Sequence, residues 1–419
     1  QKLIVVTVAT DASNDGFQRF NRSAHVYNLN LEVIGLNEVW KGGNVDTEPG
    51  GGFKVNLFRN TLKKYKDNDN IIVLFVDSYD VVITAGEKEI LRRFRESGAE
   101  VLFSAEVFCW PDKSLAPSYP KVEKGGKRYL NSGGFIGFAP LLYEVVSYEE
   151  IKDLDDDQLY YTKIYLNDTL RQKWSIKLDH KSNIFQNLNG AMGDVEIRFD
   201  ENGDASVYNT AYHTNPIILH GNGMSKLVIN ALGNYVAKSW SSKEGCLSCK
   251  EGVISLKNVN PENAPLVLLG IFIEHPTPFL PEFFEYLLNL RYPKERVHII
   301  LHNAAAYHSQ LVEEFVANNK EKYANFKLLP STTEQWQARN MALEECLKID
   351  CDYYMSVDSN ARLTNDKTLI KLIEQNRKVI APLLTQPNKL WSNFWGALSS
   401  DGYYARSHDY IDIVKNNRR

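Results

Sequence analysis

The amino-acid sequence predicts an α/β protein made of two tandem domains, each built around a mostly parallel sheet. Short, continuous runs of β-branched and other apolar residues alternate with segments of helical spacing, which is typical of parallel strands buried on both faces. The alternation restarts after the polar segment 241–264, which we interpret as a linker. We therefore assign residues 1–255 to the first domain and residues 256–419 to the second, as the length of 419 residues allows.

In the first domain, apolar runs predict strands and amphipathic runs predict helices. We expect helices within 13–28 and at 54–65 and 87–95, and strands at 3–10, 32–36, 70–76, 100–104 and 216–219. Segment 40–52 contains five glycines and one proline, so it predicts a mobile loop.

The second domain repeats this pattern with a change at the end of one strand. Strands are predicted at 266–273, 297–302 and 352–357, with helices at 281–290 and 334–347. The last strand ends in Asp358-Ser359-Asn360, where the first domain has Asp77-Ser78-Tyr79-Asp80. Because an amide replaces one carboxylate, and neutral asparagine is a weak ligand for a hard dication, we expect a diverged, non-catalytic copy. Its abrupt end at residue 419 indicates a truncated domain.

The composition excludes some classes of protein. A net charge of −4 without a basic run argues against a nucleic-acid partner. No apolar stretch approaches the roughly 20 residues that span a bilayer. The 22 tyrosines and 7 tryptophans are suited to sugar-binding pockets.

The cysteines and two sequons favour an oxidising, secretory compartment. Cys246 with Cys249, and Cys346 with Cys351, form two closely spaced pairs, and neither resembles a zinc site. Cys109 is left over in an apolar context typical of a buried thiol. Sequons at Asn21 and Asn167 are compatible with this compartment, and their glycosylation stays open.

The strongest functional signal follows strand 70–76, where Asp77 and Asp80 flank Ser78 and Tyr79. Open α/β sheets bind ligands at the carboxyl ends of their strands. Two carboxylates there suit a divalent cation that holds a nucleotide diphosphate. Aspartate at this position is also a common turn former or helix cap. The residues that follow, VVIT, do not begin a helix, which favours the metal interpretation.

A candidate third ligand is His220, at the end of strand 216–219. Manganese accepts imidazole together with carboxylates. Gly221 and Gly223 allow close backbone approach to phosphate, and Lys226 is near enough to reach the same phosphates. The alternative is a hydrogen-bonded histidine followed by a glycine turn.

An acidic run, DLDDDQ at 153–158, precedes a helical segment. Aspartates at a helix start act as caps and interact favourably with the helix dipole. One cap needs only one aspartate, so a role near a cationic transition state or sugar hydroxyls is an equal alternative.

Small and aromatic residues mark a candidate acceptor site. The Asn131-Ser132-Gly133-Gly134 sequence would let a substrate lie against the backbone, although a turn or bulge is the commoner use of paired glycines. Trp40 and Trp110 flank loops and could stack on sugar faces, although each alone is more often a packing residue.

These residues resemble the amino-terminal and middle domains of the multifunctional procollagen lysyl hydroxylase/glycosyltransferase family. The resemblance covers nearly all of the chain. It is carried by VTVATD from Val6, the GGG loop with Trp40, DSYDV at 77–81, WPDK at 110–113, RYLNSGGFIGFAP at 128–140, DDDQLYYTK at 155–163, FIEHPTPFLP at 272–281 and KLWSNFWGALSSDGYYARS at 389–407.

The resemblance implies two GT-A-like, Rossmann-like domains, the first of which uses manganese and UDP-glucose, or UDP-galactose, to glycosylate hydroxylysine or galactosyl-hydroxylysine of collagen. It implies that Asp77, Asp80 and His220 bind the metal. The other implied positions are Thr7, Thr10, Val45, Lys54, Tyr79, Gly221, Gly223 and Lys226 for the donor, Asp155, Asp156 and Trp40 for catalysis, and Trp110, Asn131, Gly133 and Gly134 for the acceptor.

The resemblance also places the protein in the endoplasmic reticulum lumen, with collagen or procollagen as its acceptor. Fe(II), 2-oxoglutarate and ascorbate belong to the family's carboxyl-terminal dioxygenase domain, which we do not expect in these residues. A homodimer of the longer protein, formed through that missing region, is compatible with the family.

The main alternative is a non-catalytic, collagen-binding scaffold with a vestigial nucleotide-sugar site. A dinucleotide oxidoreductase is disfavoured because no GxGxxG follows the first strand. An aspartyl phosphotransferase is disfavoured because Asp77 and Asp80 are one residue too far apart for a DxD spacing.

Overall fold

The computed structural model describes residues 1–44, 49–122, 125–386, 388–399, 402–407 and 409–417. The chain separates into two compact units, Gln1–Ser248 and Cys249–Arg419. Both contain helices and strands in alternation, so the predicted mixed α/β class is confirmed. The boundary at 255/256 stays a prediction, and the proposed linker 241–264 spans the division between the units.

The first unit contains the elements that carry the predicted site. Its strands are β1 (Lys2–Val8), β2 (Leu31–Ile34), β3 (Ile71–Val76), β4 (Val81–Ile83), β5 (Val101–Glu106), β6 (Tyr129–Phe138), β7 (Ile176–Asp179), β8 (Phe185–Asn187), β9 (Val195–Phe199), β10 (Ala205–Asn209), β11 (Ile218–His220), β12 (Trp240–Ser241) and β13 (Gly245–Cys246). Its helices are α1 (Asp15–Val26), α2 (Gly52–Leu62), α3 (Glu87–Ser97), α4 (Ala139–Val146), α5 (Asp157–Leu166), α6 (Asp168–Lys173) and α7 (Lys226–Leu232).

The main sheet of the first unit has six strands in the order β2-β1-β3-β6-β5-β7. Strand β6 runs antiparallel to both neighbours, β3 and β5, and the other pairs are parallel. Helices cover both faces, which explains why β1 and β3 are continuously apolar rather than alternating.

The core on one face of this sheet is rich in aromatic rings. Phe75 of β3 stacks on Phe135 of β6 with ring centroids 4.9 Å apart, and Phe58 of α2 packs against both. Each of these buried side chains contributes roughly 1.5–3 kcal/mol relative to exposure. The opposite face packs Phe17 and Phe20 of α1 with residues of α3. The strand ends that carry the acids therefore rest on a tightly packed scaffold.

A second, three-stranded sheet has the order β4-β11-β8. Strand β11 pairs antiparallel with β4 and parallel with β8, so that His220 lies opposite Val81 on one side and Asn187 on the other. Strand β4 begins one residue after Asp80. The small sheet thus brings the end of β11 to the turn that follows β3.

The second unit is built around a smaller, fully parallel sheet. Its strands are β14 (Val267–Ile273), β15 (Val297–Asn303), β16 (Asn325–Leu328), β17 (Tyr353–Asp358), β18 (Gly396–Leu398) and β19 (Tyr404–Arg406), and its helices are α8 (Leu280–Leu288), α9 (Ser309–Asn319), α10 (Gln335–Lys348), α11 (Thr368–Glu374) and α12 (Tyr410–Val414). Four strands pair in parallel in the order β16-β15-β14-β17.

The cysteines follow the expectation from their spacing. Cys346 and Cys351 form a disulfide between the end of α10 and the start of β17, and Cys246 and Cys249 are also disulfide-bonded. Cys109 is a buried free thiol. Across the described residues, every helix is too short or too polar to span a lipid bilayer.

The largest difference from the predicted elements lies in the glycine-rich segment. Residues 45–48, which include the candidate donor residue Val45, lie outside the described residues. Helix α2 begins at Gly52, within this segment and earlier than predicted. Gly51 has φ of +98°, and a Cβ atom at Gly52 would lie 2.0 Å from the carbonyl oxygen of Lys152. These glycines therefore serve a close backbone approach to the acidic loop that precedes α5.

Candidate metal and donor site

The two carboxylates and the imidazole singled out in the sequence meet at one point. Asp77 and Asp80 follow β3, and His220 ends β11. Nε2 of His220 lies 3.4 Å from Oδ1 of Asp80 and 3.8 Å from Oδ2 of Asp77. One ligand atom from each of the three residues lies within 4.8 Å of the others.

This spacing fits a single divalent ion. With metal–oxygen bonds of roughly 2.1 Å, ligands on opposite sides of an ion are about 4.2 Å apart and adjacent ligands are closer. Two carboxylates and one imidazole form a donor set that suits manganese and related dications. Among the described residues, this is the one such cluster of three or more ligating side chains.

The turn Asp77–Asp80 is fixed at each of its four residues. Asp77 N donates to the Gly133 carbonyl at 3.0 Å, and the Asp80 carbonyl accepts from Gly221 N at 2.7 Å. The Ser78 hydroxyl donates to the Val8 carbonyl at 2.7 Å. The carboxylates are therefore presented by a rigid loop, which reduces the ordering cost of binding an ion.

Tyr79, predicted to stack on the uridine, is tied to the end of β1. Its phenol oxygen accepts hydrogen bonds from Thr10 N and Asp11 N, each at 3.0 Å. Tyr79 is 37% exposed, so part of the residue is accessible to solvent. Thr7 is fully buried instead, and its hydroxyl donates to the Val76 carbonyl. A side-chain contact of Thr7 with a donor would require this bond to break.

The electrostatic state of His220 depends on the neighbouring acids. Burial disfavours the imidazolium, but the carboxylates of Asp80 and Asp77 outweigh burial and raise the pKa of His220. For Asp80, burial raises the pKa, yet the attraction of His220 lowers it overall. The acids that favour the imidazolium are the same groups that would bind a dication, and a metal-bound His220 would have to be neutral.

Lys54 takes part in the same charge cluster. Its ammonium lies 3.1 Å from Oδ1 of Asp77 and 2.9 Å from Oδ2 of Asp157. Burial disfavours the charged form, but Asp157 and Asp77 outweigh it and raise the pKa of Lys54. Lys54 was predicted to bind the UDP-sugar donor. The structure places its ammonium next to a metal-ligand candidate.

The acidic run preceding α5 divides into different environments. Asp156 caps α5 by accepting from Leu159 N at 2.6 Å, and burial raises its pKa. The Asp155 carboxylate accepts from Lys152 N within its own exposed loop. The reaction-centre roles of Asp155 and Asp156 stay predictions. Asp157 pairs with Lys54, although we did not single it out from the sequence. Its place in the same acidic run was the feature that could have identified it.

Gly133, predicted to contact the acceptor, lies directly behind the metal-ligand cluster. A Cβ atom there would lie 2.2 Å from Cε1 of His220 and 2.8 Å from Oδ2 of Asp77. A glycine is therefore required for these side chains to converge. At the next residue, Gly134, a Cβ atom would lie 2.9 Å from the Phe185 ring. Acceptor contact by either glycine stays a prediction.

Asn131 belongs to a buried polar network beside the cluster. Its Nδ2 donates to Oε1 of Glu106 at 3.1 Å, and Gln158 Nε2 donates to the same oxygen at 2.8 Å. Asn222 Nδ2 donates to the other Glu106 oxygen at 3.2 Å. Burial raises the pKa of Glu106, against the effect of these hydrogen bonds. Glu106 was not predicted because it lies in no recognised motif, and Gln158, at the end of the acidic run 153–158, was not singled out.

The two tryptophans differ in exposure. Trp110 is 48% exposed, and its carbonyl accepts from Gln158 Nε2. Trp40 is half-buried, packs edge-on against Phe53, and donates its indole N–H to the Gly43 carbonyl. Both lie on loops as expected, and stacking on a sugar stays a prediction for each.

The segment after His220 turns into α7. Gly221 packs under Ile229, since a Cβ atom there would meet Ile229 Cγ2 at 2.2 Å. Gly223 begins a short 3-10 turn, and Lys226 is exposed at the start of α7. Lys226 also contributes to lowering the pKa of Asp80, which indicates that its charge lies near the metal-ligand cluster. Contacts of these residues with phosphate stay predictions.

Comparison with known families decides the affiliation of the chain. The model of the PLOD GT domain matches residues 1–246. The chain belongs to this family. The PLOD GT domain match covers the first unit with its Asp77–Asp80–His220 cluster, and it confirms the resemblance found in the sequence. A second model, the amino-terminal domain of glycosyltransferase family 25, matches residues 332–419 in the second unit.

Curated relatives of this PLOD chain are similar over its whole length. It is 48% identical over 421 residues to "Procollagen-lysine,2-oxoglutarate 5-dioxygenase 1" of Gallus gallus, covering 100% of this chain and 57% of the relative. It is 47% identical over 421 residues to "Multifunctional procollagen lysine hydroxylase and glycosyltransferase LH3" of Homo sapiens, covering 100% of this chain and 56% of the relative. The chain thus spans little more than half the length of these relatives.

Solved structures overlap with the chain only loosely. A glycosyltransferase involved in the glycosylation of the major capsid of PBCV-1 aligns with a TM-score of 0.34 and 9% identity, covering 56% of this chain and 99% of that one. An overlap of this size carries no argument about the site.

Proposed function

We propose that the first unit is a metal-dependent glycosyltransferase that moves a hexose from a UDP-sugar to hydroxylysine or galactosyl-hydroxylysine of collagen. The observation that supports it most is the convergence of Asp77, Asp80 and His220 at the carboxyl end of β3, in a chain of a glycosyltransferase-domain family. The names of the curated relatives, which include procollagen-lysine modification, support collagen as the acceptor. Manganese and glucose are the proposed metal and sugar.

In this proposal, Asp77, Asp80 and His220 hold the dication. When bound, it supplies Lewis-acid neutralisation of the diphosphate leaving group. Tyr79 stacks on the uracil, with its phenol oxygen held by the Thr10 and Asp11 amides. Lys226 adds positive charge on the phosphate side.

The carboxylates around the Lys54 ammonium suit the developing positive charge on the sugar. Departure of the diphosphate gives the anomeric carbon oxocarbenium character, which preoriented carboxylates stabilise. Asp156 and Asp157 lie at the first turn of α5, held by the Leu159 amide and by Lys54. Asp155 is the third carboxylate of the run, and which of them acts on the sugar is a question for mutagenesis.

The second unit is proposed to be non-catalytic and to position collagen. Its Asp358, which corresponds to the acids of the first unit, pairs with Arg339 at 2.6 Å, and the Arg339 guanidinium lies over the Phe272 ring. The turn that follows offers a single carboxylate, because Asn360 is a neutral amide and a weak ligand for a hard dication. The longer protein is proposed to be a lysyl hydroxylase of the endoplasmic reticulum lumen, in keeping with the disulfides.

The test is sugar transfer from UDP-glucose and UDP-galactose to hydroxylysine and galactosyl-hydroxylysine peptides, with manganese and with a chelator. We expect metal-dependent turnover that Asp77→Asn and Asp80→Asn each abolish. Glu196→Gln, on the exposed ribbon strand β9, is the matched control and should retain activity. No turnover with any donor, while collagen peptides still bind, would favour the non-catalytic scaffold instead.

A further inference from the structure

We propose that Asn187 is a positioning residue that holds the His220 imidazole with Nε2 directed at Asp77 and Asp80. The inference rests on the proposed function, since it concerns the third ligand of the proposed metal site. Asn187 lies in no motif that the sequence singled out. It is the last residue of β8, directly opposite His220 in the parallel pair of β8 and β11.

The first step is the contact between the two side chains. Nδ1 of His220 lies 2.9 Å from Oδ1 of Asn187, and both residues are buried. This leaves Nε2 as the ring nitrogen that faces Asp80 and Asp77. A ligating histidine needs a hydrogen-bond partner on its other nitrogen to fix the ring orientation.

The second step is the orientation of the Asn187 amide. Oxygen and nitrogen of an amide must be distinguished by their hydrogen-bond partners. Here one amide atom lies 2.9 Å from the carbonyl oxygen of Ala105, which can only accept a hydrogen bond. That atom is therefore the donor Nδ2, and it also donates to the Ser104 hydroxyl at 2.5 Å.

The third step assigns the tautomer of the neutral ring. Because Asn187 presents its oxygen to His220, the hydrogen bond requires a proton on Nδ1. Nε2 then carries the free lone pair and faces the two carboxylates, as a metal ligand must. The Ala105 carbonyl thus fixes the orientation of the Asn187 amide, and that amide determines which nitrogen of His220 can bind a metal.

Asn187 is itself held in place, so its amide cannot rotate freely. It is fully buried, and its backbone carbonyl accepts hydrogen bonds from Lys127 Nζ and Gln186 Nε2, each at 3.0 Å. Reversing the amide would place oxygen against oxygen at Ala105, whose carbonyl can only accept. Loss of an outer partner of this kind typically weakens metal binding about 10- to 100-fold.

Three variants separate positioning from simple packing. Asn187→Leu removes the acceptor, whereas Asn187→Asp keeps an oxygen toward His220 but loses the donor bond to the Ala105 carbonyl. The matched control is Asn209→Leu, because Asn209 is an equally buried amide that hydrogen-bonds Gln186 and the Ala211 and Tyr212 amides without touching His220. All three should lower the melting temperature.

The first readout needs neither metal nor turnover. Long-range 1H–15N NMR of metal-free, histidine-labelled protein should show His220 in the Nδ1–H tautomer once the ring is neutral. The wild type, Asn187→Asp and Asn209→Leu should share this signature, and Asn187→Leu should show a mixture of tautomers. An unchanged Nδ1–H tautomer in Asn187→Leu would overturn the inference.

The second readout is manganese affinity by titration calorimetry. We expect Asn187→Leu to weaken binding by about 10- to 100-fold, and both Asn187→Asp and Asn209→Leu to bind within about threefold of wild type. Equal weakening in Asn187→Asp and Asn187→Leu would show a packing role and overturn the inference. If wild type bound no manganese while the tautomer still depended on Asn187, the proposed function would fail and the positioning of the ring would stand.

Discussion

The ammonium of Lys54 lies 3.1 Å from a carboxylate oxygen of Asp77, inside the cluster that we propose to bind a metal. The same ammonium pairs with Asp157 at 2.9 Å. Lys54 therefore neutralises part of the negative charge that an ion would otherwise neutralise alone.

Replacing Lys54 should destabilise the metal-free protein more than the metal-loaded one. Lys54→Met leaves Asp77 and Asp157 without their cation, and breaking a buried ion pair costs about 3–5 kcal/mol. Manganese would compensate part of this charge. We expect urea denaturation to show that Lys54→Met lowers the free energy of unfolding more in the presence of a chelator than in the presence of manganese. Lys64→Met, which breaks the more exposed pair with Glu32, should cost at most about 1 kcal/mol. Equal losses for Lys54→Met with and without manganese would contradict this role.

Removing Asp80 should abolish sugar transfer while the fold persists. The side chain lies past the end of β3 and contributes its charge rather than apolar packing. Asp80→Ala should keep the far-UV circular dichroism spectrum, but the loss of its pair with buried His220 should lower the melting temperature, as in Lys54→Met. Full activity of Asp80→Ala, with manganese as the sole metal, would rule out the metal assignment.

A methyl group at Gly133 should disturb the metal site. In Gly133→Ala the new Cβ atom would lie 2.2 Å from the His220 ring and 2.8 Å from an Asp77 oxygen, so one of them must move. We expect at least a tenfold loss of manganese affinity, on the scale known for disturbed ligand positioning. Gly193→Ala is the control, since no atom lies within 4 Å of a Cβ there. Unchanged affinity in Gly133→Ala would show that the ligands converge differently.

Lys127 should make stability depend on pH in the alkaline range. Burial lowers its pKa from 10.5 to about 8. Between these values the unfolded chain binds more protons than the native one, so this contribution to stability rises with pH. Below pH 8 the full penalty of burying the ammonium applies. The free energy of unfolding of wild type minus that of Lys127→Met should rise by up to about 3 kcal/mol from pH 8 to 10.5. A constant difference would mean that Lys127 stays protonated in the fold.

The whole chain should bind UDP at a single site. Asp358 is paired with Arg339, and its neighbour Asn360 offers no charge. Titration calorimetry with UDP and manganese should give one site, lost in the Asp77→Ala/Asp80→Ala double variant and retained in Asp358→Ala. A site that survived the double variant and disappeared with Asp358→Ala would show that the second unit binds nucleotide.

The residues that the sequence identified and those that it missed differ in how they are encoded. Asp77, Asp80 and His220 each follow a recognisable apolar strand, and the topology of α/β sheets brings strand ends together. Asn187 and Lys127 act through contacts with residues distant in sequence, and neither lies in a motif. The contact of Asn187 with His220 depends on the pairing of β8 with β11, which the local pattern does not specify.

The glycines show the same limit. The sequence predicted close approach of a substrate at residues 131–134 and a mobile loop at 40–52, but it did not indicate the neighbours of either segment. In the structure, Gly133 faces two side chains of the metal cluster and Gly52 faces the Lys152 carbonyl. A bound ligand and a neighbouring chain segment both require only that a Cβ atom be absent. A glycine in the sequence therefore does not distinguish between them.

The turn between β3 and β4 joins two sheets that share no strand. Asp77 extends from the large sheet, and His220 extends from the small one. An ion held by both would cross-link two sheets that are not joined by a backbone ladder. Hydrogen exchange in β3 and in β11 should then slow together as manganese is added. The ion would stabilise the folded structure in addition to its role in the reaction.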